Sequence, residues 1–163
     1  MKYEAIVFDL DGTVLDTIED LNDAVNYAMK SYNLPSITIL QTKSYLGWGI
    51  RHLILKAIGY DRLDFEDILA CFKHKYDEIC DNKTRPFEGI YDVLSYCKEN
   101  NIKCAIASNK IQSAVDILGI KWFKDYMDVF VGEGDGRKRK PEPDIVLHAC
   151  NLLNVNVDNI LYV

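Results

Sequence analysis

No apolar run in these 163 residues approaches the roughly 18 needed to cross a bilayer, which excludes a membrane-spanning helix. Internal repeats and low-complexity tracts are missing too. No secretory leader is expected at the start, since Met1-Lys2-Tyr3-Glu4 enters a strand-like run after one basic residue and acidic residues follow before an apolar leader core could develop. The five cysteines (Cys71, Cys80, Cys97, Cys104 and Cys150) are odd in number. They show neither CxxC pairing nor zinc-ligand spacing with His52, His74 or His148, so they read as reduced, mostly buried thiols. Positive charge is scarce, with 19 Lys and Arg against 25 Asp and Glu and a formal net charge of −6. That balance argues against general affinity for nucleic acid, which draws on clustered cations. The expectation is a cytoplasmic protein with no nucleic-acid or membrane partner and one basic run to explain, Arg137-Lys138-Arg139-Lys140.

What is present is the composition of a globular protein, 48% hydrophobic and 27% charged. Four short apolar runs rich in β-branched and aromatic residues read as strands covered on both faces: Glu4–Leu10, Lys103–Ser108, Asp128–Gly132 and Asn159–Val163. Helical stripes separate them, through Ile90, Val93, Leu94 and Cys97, and through Val146, Leu147, Cys150 and Leu153. Alternating buried strands and helices predict a parallel α/β sheet with right-handed crossovers. Between the first two runs lies more chain than one crossover needs, and it is helical in pattern. One stripe joins Ile18, Leu21, Val25, Ala28 and Met29, with Thr17 as its expected N-cap and Glu19 and Asp20 in its first turn. Further stripes run through Ile50, Leu53, Ile54 and Ala57, and through Phe65, Ile68, Leu69, Phe72 and Tyr76. Pro86 disfavours helix in Arg85 and marks the return to the sheet. The predicted architecture is an α/β, Rossmann-like parallel core from residues 1–15 and 86–163, with an all-helical cap, 16–85, inserted after the first strand.

Ligands of open α/β sheets collect at the carboxyl ends of the strands, where "FDLDGTVLD" places Asp9 and Asp11. Gly12 permits a sharp turn whose backbone N–H groups are expected to face an anion, and Thr13 adds a hydroxyl. Two carboxylates about 4 Å apart repel by about 4 kcal/mol at an effective dielectric near 20, so one holds a proton or both share a cation. An ionised Asp9 beside a divalent metal can act as nucleophile, and Asp11 as acid and then base. The other reading of a bare Asp-x-Asp is a turn cap.

"FDLDGTVLDT" resembles the first motif of the haloacid dehalogenase superfamily, in its phosphotransferase branch. "IASNK", with Ser108 and Asn109, resembles the second motif, and "RKRKPEPD", with Lys140 before Pro141, the third. Nearest in wording are the phosphoglycolate phosphatase-like members. The resemblance implies a Rossmann-like core with a cap, and a phosphomonoester hydrolase acting on a small anionic organic phosphate, phosphoglycolate first. It implies Asp9 as the nucleophile that becomes an aspartyl-phosphate and Asp11 as general acid and then base. Ser108 and the Asn109 backbone would hold the phosphate, Lys140 would neutralise charge, and Mg²⁺ would sit on the Asp9 carboxylate and the Asp11 carbonyl. Asp11 also sets the chain apart from the dehalogenases, whose halide leaves unprotonated. A phosphosugar mutase, or a non-catalytic domain keeping the fold, are the alternatives.

In the cap segment "YLGWGIRHL", Gly49 and Arg51 are candidates for recognising the substrate's other anion, and a plain helix connector is the other reading. Lys110 is a weaker candidate for Arg51's role. Arg137, Lys138 and Arg139 are read as solvated charges. The family's fourth motif, which supplies the remaining metal ligands, would follow Val163, so this stretch by itself is expected to bind metal poorly and turn over slowly.

Overall fold

A computed structural model describes residues 3–60 and 62–163. Met1 and Lys2, read above as preceding the first strand, lie outside them. In chain order the elements are β1 (Ala5–Phe8), β2 (Leu15–Asp16), α1 (Ile18–Ser31), α2 (Ile39–Tyr45), α3 (Ile50–Ile58), α4 (Phe65–Ile79), β3 (Arg85–Pro86), α5 (Ile90–Glu99), β4 (Lys103–Ile111), α6 (Gln112–Phe123), β5 (Val129–Glu133), α7 (Asp144–Leu153) and β6 (Ile160–Tyr162). Two compact units emerge. One is the chain up to Asp16 together with Arg85–Val163; the other is Thr17–Thr84.

The first unit is a parallel α/β layer structure. Its four-stranded sheet has the order β5-β4-β1-β6, and every pairing is parallel. β1 is central, with Ala5 opposite Lys103 on one side and Ile160 on the other. Ala5, Val7 and Phe8 are all buried, and since side chains alternate along a strand, both faces of β1 are covered. Pro143 precedes α7, which lays Ile145, Ala149 and Leu153 against Ala5, Val7, Ala105, Ala107 and Val131. Such four-residue spacing keeps one helix face on the sheet.

β4 runs on to Ile111 rather than ending at Ser108, and its register with β5 shifts between Ala107 and Ile111. An irregularity of this kind re-aims the side chains that follow it. β2 and β3 form a second, two-residue antiparallel ladder, with Leu15 opposite Pro86 and Asp16 opposite Arg85.

In the second unit, α1 buries Leu21, Ala24, Val25, Ala28 and Met29, and α4 buries Ile68, Leu69, Phe72 and Tyr76. Thr17 stands at the head of α1 but makes no capping bond, because its backbone (φ −109°, ψ 0°) is not the extended one from which a hydroxyl reaches back to the first turn. Asp20 stands in the first turn as expected, and it is buried. Its carboxylate accepts from the Lys83 N–H (3.0 Å to each oxygen), the Thr84 N–H (2.8 Å) and the Thr84 hydroxyl (2.8 Å), tying the beginning of this unit to its end. Among the described residues no helix is long and apolar enough to cross a membrane.

Candidate active site

β1 hands directly into a tight loop that presents Asp9 and Asp11. The Leu10 carbonyl accepts from the N–H groups of Thr13 (3.3 Å), Val14 (3.2 Å) and Leu15 (3.1 Å), while Gly12 N–H donates to Leu15 O (2.9 Å). Gly12 has φ +78°, a conformation that costs an L-residue energy, and open space surrounds its missing Cβ, so the dihedral and not crowding calls for glycine. Of the backbone N–H groups near Gly12, those of Gly12 and Thr13 are engaged within the turn itself. Thr13 is half-buried, and its hydroxyl has no protein partner among the described residues.

Asp9 is fixed on one side only. Its Oδ1 accepts from the Leu10 N–H at 2.7 Å and lies 2.8 Å from Lys140 Nζ, while Oδ2 has no hydrogen-bond partner among the described residues. Lys140 Nζ also donates to the Ala107 carbonyl (2.9 Å) and the Tyr162 hydroxyl (2.6 Å). Asn109 grips the Lys140 backbone at both polar groups, its Oδ1 accepting from N–H (2.7 Å) and its Nδ2 donating to the carbonyl (3.0 Å). Sequence reasoning considered only the backbone of Asn109.

Lys110 is turned inward. Its Nζ lies 2.8 Å from Asp11 Oδ1, with the lysine side chain 2% exposed and the aspartate 22%. Its expected part as a second cation for a substrate anion does not match this placement, since burial in the irregular stretch of β4 directs the ammonium at Asp11. Ser108 is buried beside it, and its Oγ accepts from the Lys110 N–H at 3.3 Å. Each of the two aspartates therefore has its own lysine. The repulsion that made the pair puzzling in the sequence is offset by two ammonium groups at contact distance.

The loop after β5 divides the basic run. Arg139 pairs with Glu133 (2.5 Å) and Arg137 with Asp135 (3.1 Å), while the Lys138 side chain stays with the solvent reading. The side chains of Arg137 and Arg139 are 13% and 30% exposed, so they are loop ties rather than solvated charges. Among the described residues no group of three or more His, Cys, Asp or Glu is gathered to hold a metal. The donors left at this corner are oxygens of Asp9 and Asp11. Hard oxygen donors from one or two carboxylates suit Mg²⁺, which keeps several of its waters, so the residues present fit that ion.

In the other unit, Gly49 (φ +83°) heads α3, and Arg51 on its first turn forms a two-pronged pair with Glu66 (2.9 and 2.5 Å) while its guanidinium lies over Phe65. The Arg51 hydrogen bonds hold the Glu66 carboxyl below the usual glutamate range.

A parallel sheet with a helical segment after its first strand, and Asp-x-Asp at that strand's carboxyl end, where ligands of such sheets collect, is the frame of an α/β enzyme core. The model of the haloacid dehalogenase-like hydrolases matches residues 6–163, and the chain belongs to that family. It is an enzyme of the family's phosphatase kind. The chain is 29% identical over 171 residues to a phosphoglycolate phosphatase of Nitrosospira multiformis, covering 100% of this chain and 75% of that one. An N-acetylmuramic acid 6-phosphate phosphatase of Pseudomonas aeruginosa is 27% identical over 167 residues, covering 100% and 74%. Among solved structures, a candidate phosphoglycolate phosphatase from Lactobacillus delbrueckii superposes with a TM-score of 0.90 at 32% identity, covering 99% of this chain and 78% of that one.

Proposed function

We propose that the protein is a Mg²⁺-dependent phosphomonoesterase that works through an aspartyl-phosphate on a small anionic organic phosphate, with phosphoglycolate as first candidate. The observation that carries this reading is the asymmetry of Asp9. Lys140 and the Leu10 N–H occupy one carboxylate oxygen, and the other is without a protein partner among the described residues. A nucleophile needs that arrangement, one oxygen held and one available.

In this reading an Asp9 oxygen forms a bond to phosphorus as the ester P–O bond breaks, and the departing alkoxide takes its proton from the Asp11 carboxyl. Water then attacks the same phosphorus, giving its proton back to Asp11. The Asp9–phosphorus bond breaks, and inorganic phosphate leaves with both aspartates restored. Lys140 stabilises negative charge on the transferring group, and Ser108, Asn109 and Thr13 supply polar groups around it. Mg²⁺, held by the Asp9 carboxylate and the Asp11 carbonyl, would add the remaining positive charge. Arg51, with Gly49 setting the turn before it, is assigned to the substrate's second anion, for which the anion must displace Glu66. Five free thiols fit a reducing compartment, and we place the enzyme in the cytoplasm.

The test is phosphate release from phosphoglycolate, N-acetylmuramic acid 6-phosphate and hexose phosphates, each with Mg²⁺ and with chelator. Metal-dependent release favouring phosphoglycolate supports the full reading. Preference for another ester corrects the substrate alone, and no release from any ester contradicts the proposal.

A further inference from the structure

Lysine 110 follows the Ser-Asn pair of β4 and is buried, and burial of an ammonium is costly unless a partner is built for it. Three features build that partner. The Ser108 hydroxyl holds the Lys110 N–H, the register shift of β4 spans this residue, and Asp11 Oδ1 receives Nζ at 2.8 Å. A fourth comes from the neighbouring strand. At Gly132 of β5 an added Cβ would stand 2.8 Å from the Lys110 carbonyl and 2.8 Å from Gln112 Cα, closer than non-bonded atoms tolerate. Glycine at 132 thus lets the β4 backbone come in at the point where Lys110 turns toward the acid.

We propose that Lys110 is a positioning residue for the reaction, holding the Asp11 carboxyl where it can pass a proton to the departing oxygen. The proposal rests on the phosphatase reading above. The contact to Oδ1 from a lysine whose side chain is 2% exposed orients the carboxyl group. Lys140 does the corresponding work for Asp9. The two lysines are not interchangeable, since Lys140 faces the nucleophile and Lys110 the acid.

This division of labour is readable through the leaving group. An alkyl phosphate needs the proton of Asp11 as its oxygen departs, whereas p-nitrophenolate departs readily without one. The measure is kcat/KM, which reports the transfer to Asp9. In Lys110→Met it falls about 100-fold with phosphoglycolate, and the loss with p-nitrophenyl phosphate is at least about tenfold smaller. Equal losses with the two esters, or no loss with phosphoglycolate, overturn the proposal; Lys110→Gln repeats the comparison if the methionine variant does not fold. Thermal unfolding of Lys110→Met, Asp11→Asn and the double variant, measured without substrate or metal, gives an independent arm. The double variant is expected to melt no lower than the worse single variant, and additive losses overturn the coupling. If wild type hydrolyses neither ester, the phosphatase reading has failed, and the unfolding cycle alone still tests whether the two residues are coupled.

Discussion

Asn109 clasps Lys140 at both ends of one peptide residue, accepting its N–H at 2.7 Å and donating to its carbonyl at 3.0 Å. The residues are far apart in the chain, one on β4 and one in the loop after β5. The clasp sets the point from which the Lys140 side chain reaches Asp9.

Asn109→Asp keeps the acceptor but replaces the donor by an oxygen facing a carbonyl. A lost hydrogen bond with its partner left buried costs about 1–3 kcal/mol. Carried into Lys140's placement, that cost lowers kcat about 5- to 160-fold while KM for the ester changes little. Steady-state kinetics of the variant against wild type check this, with circular dichroism to confirm the fold.

Asp20 is expected to matter for stability and not for chemistry. It is 1% exposed and accepts from two N–H groups and one hydroxyl of Lys83 and Thr84. Asp20→Ala leaves those donors without their acceptor and should cost about 3 kcal/mol in chemical denaturation. Amide exchange at Lys83 and Thr84 should quicken before that of α4. Wild-type stability in the variant would contradict this account of how the helical unit is closed.

Cys104 provides a pH test. Burial, with Cys97 beside it, pushes its thiol up to about 12. In the unfolded chain the thiol ionises from about pH 9, so above that pH the folded state holds a proton the unfolded state has released. Stability therefore falls as pH climbs through this window and is unaffected by this thiol below it. Cys104→Ala should flatten that fall, read as the unfolding midpoint at about pH 8 and about pH 10.5.

The sheet was legible because parallel strands buried on both faces must be continuously apolar: Ala5–Phe8 and Ile160–Tyr162 lie within the runs that predicted them, and Val129–Glu133 overruns its run, Asp128–Gly132, by one residue. The β2–β3 ladder was not, since two-residue strands containing Asp16 and Arg85 carry no periodicity. Helix α2 was missed because only Thr42 of it is buried, yet Thr38 and Gln41 form a capping box whose T-x-x-Q spacing was there to be read. Among the site residues, Asp9 and Asp11 stood out by residue type and strand-end position, whereas Ser108, Asn109 and Lys140 were marked by the resemblance of their segments to the family's second and third motifs. The inward turn of Lys110 did not, because it depends on a register shift in β4 and a close approach at Gly132, and neither leaves a mark in residue spacing.

The central claim is that Asp9 carries the phosphoryl group. Acid-quenching wild type during turnover of phosphoglycolate with Mg²⁺, followed by peptide mass analysis, tests it most directly. The account predicts one added phosphoryl mass on the peptide containing Asp9, and neither label nor turnover in Asp9→Asn. Turnover by Asp9→Asn at the wild-type rate, or a phosphoryl label on a different residue, would contradict it.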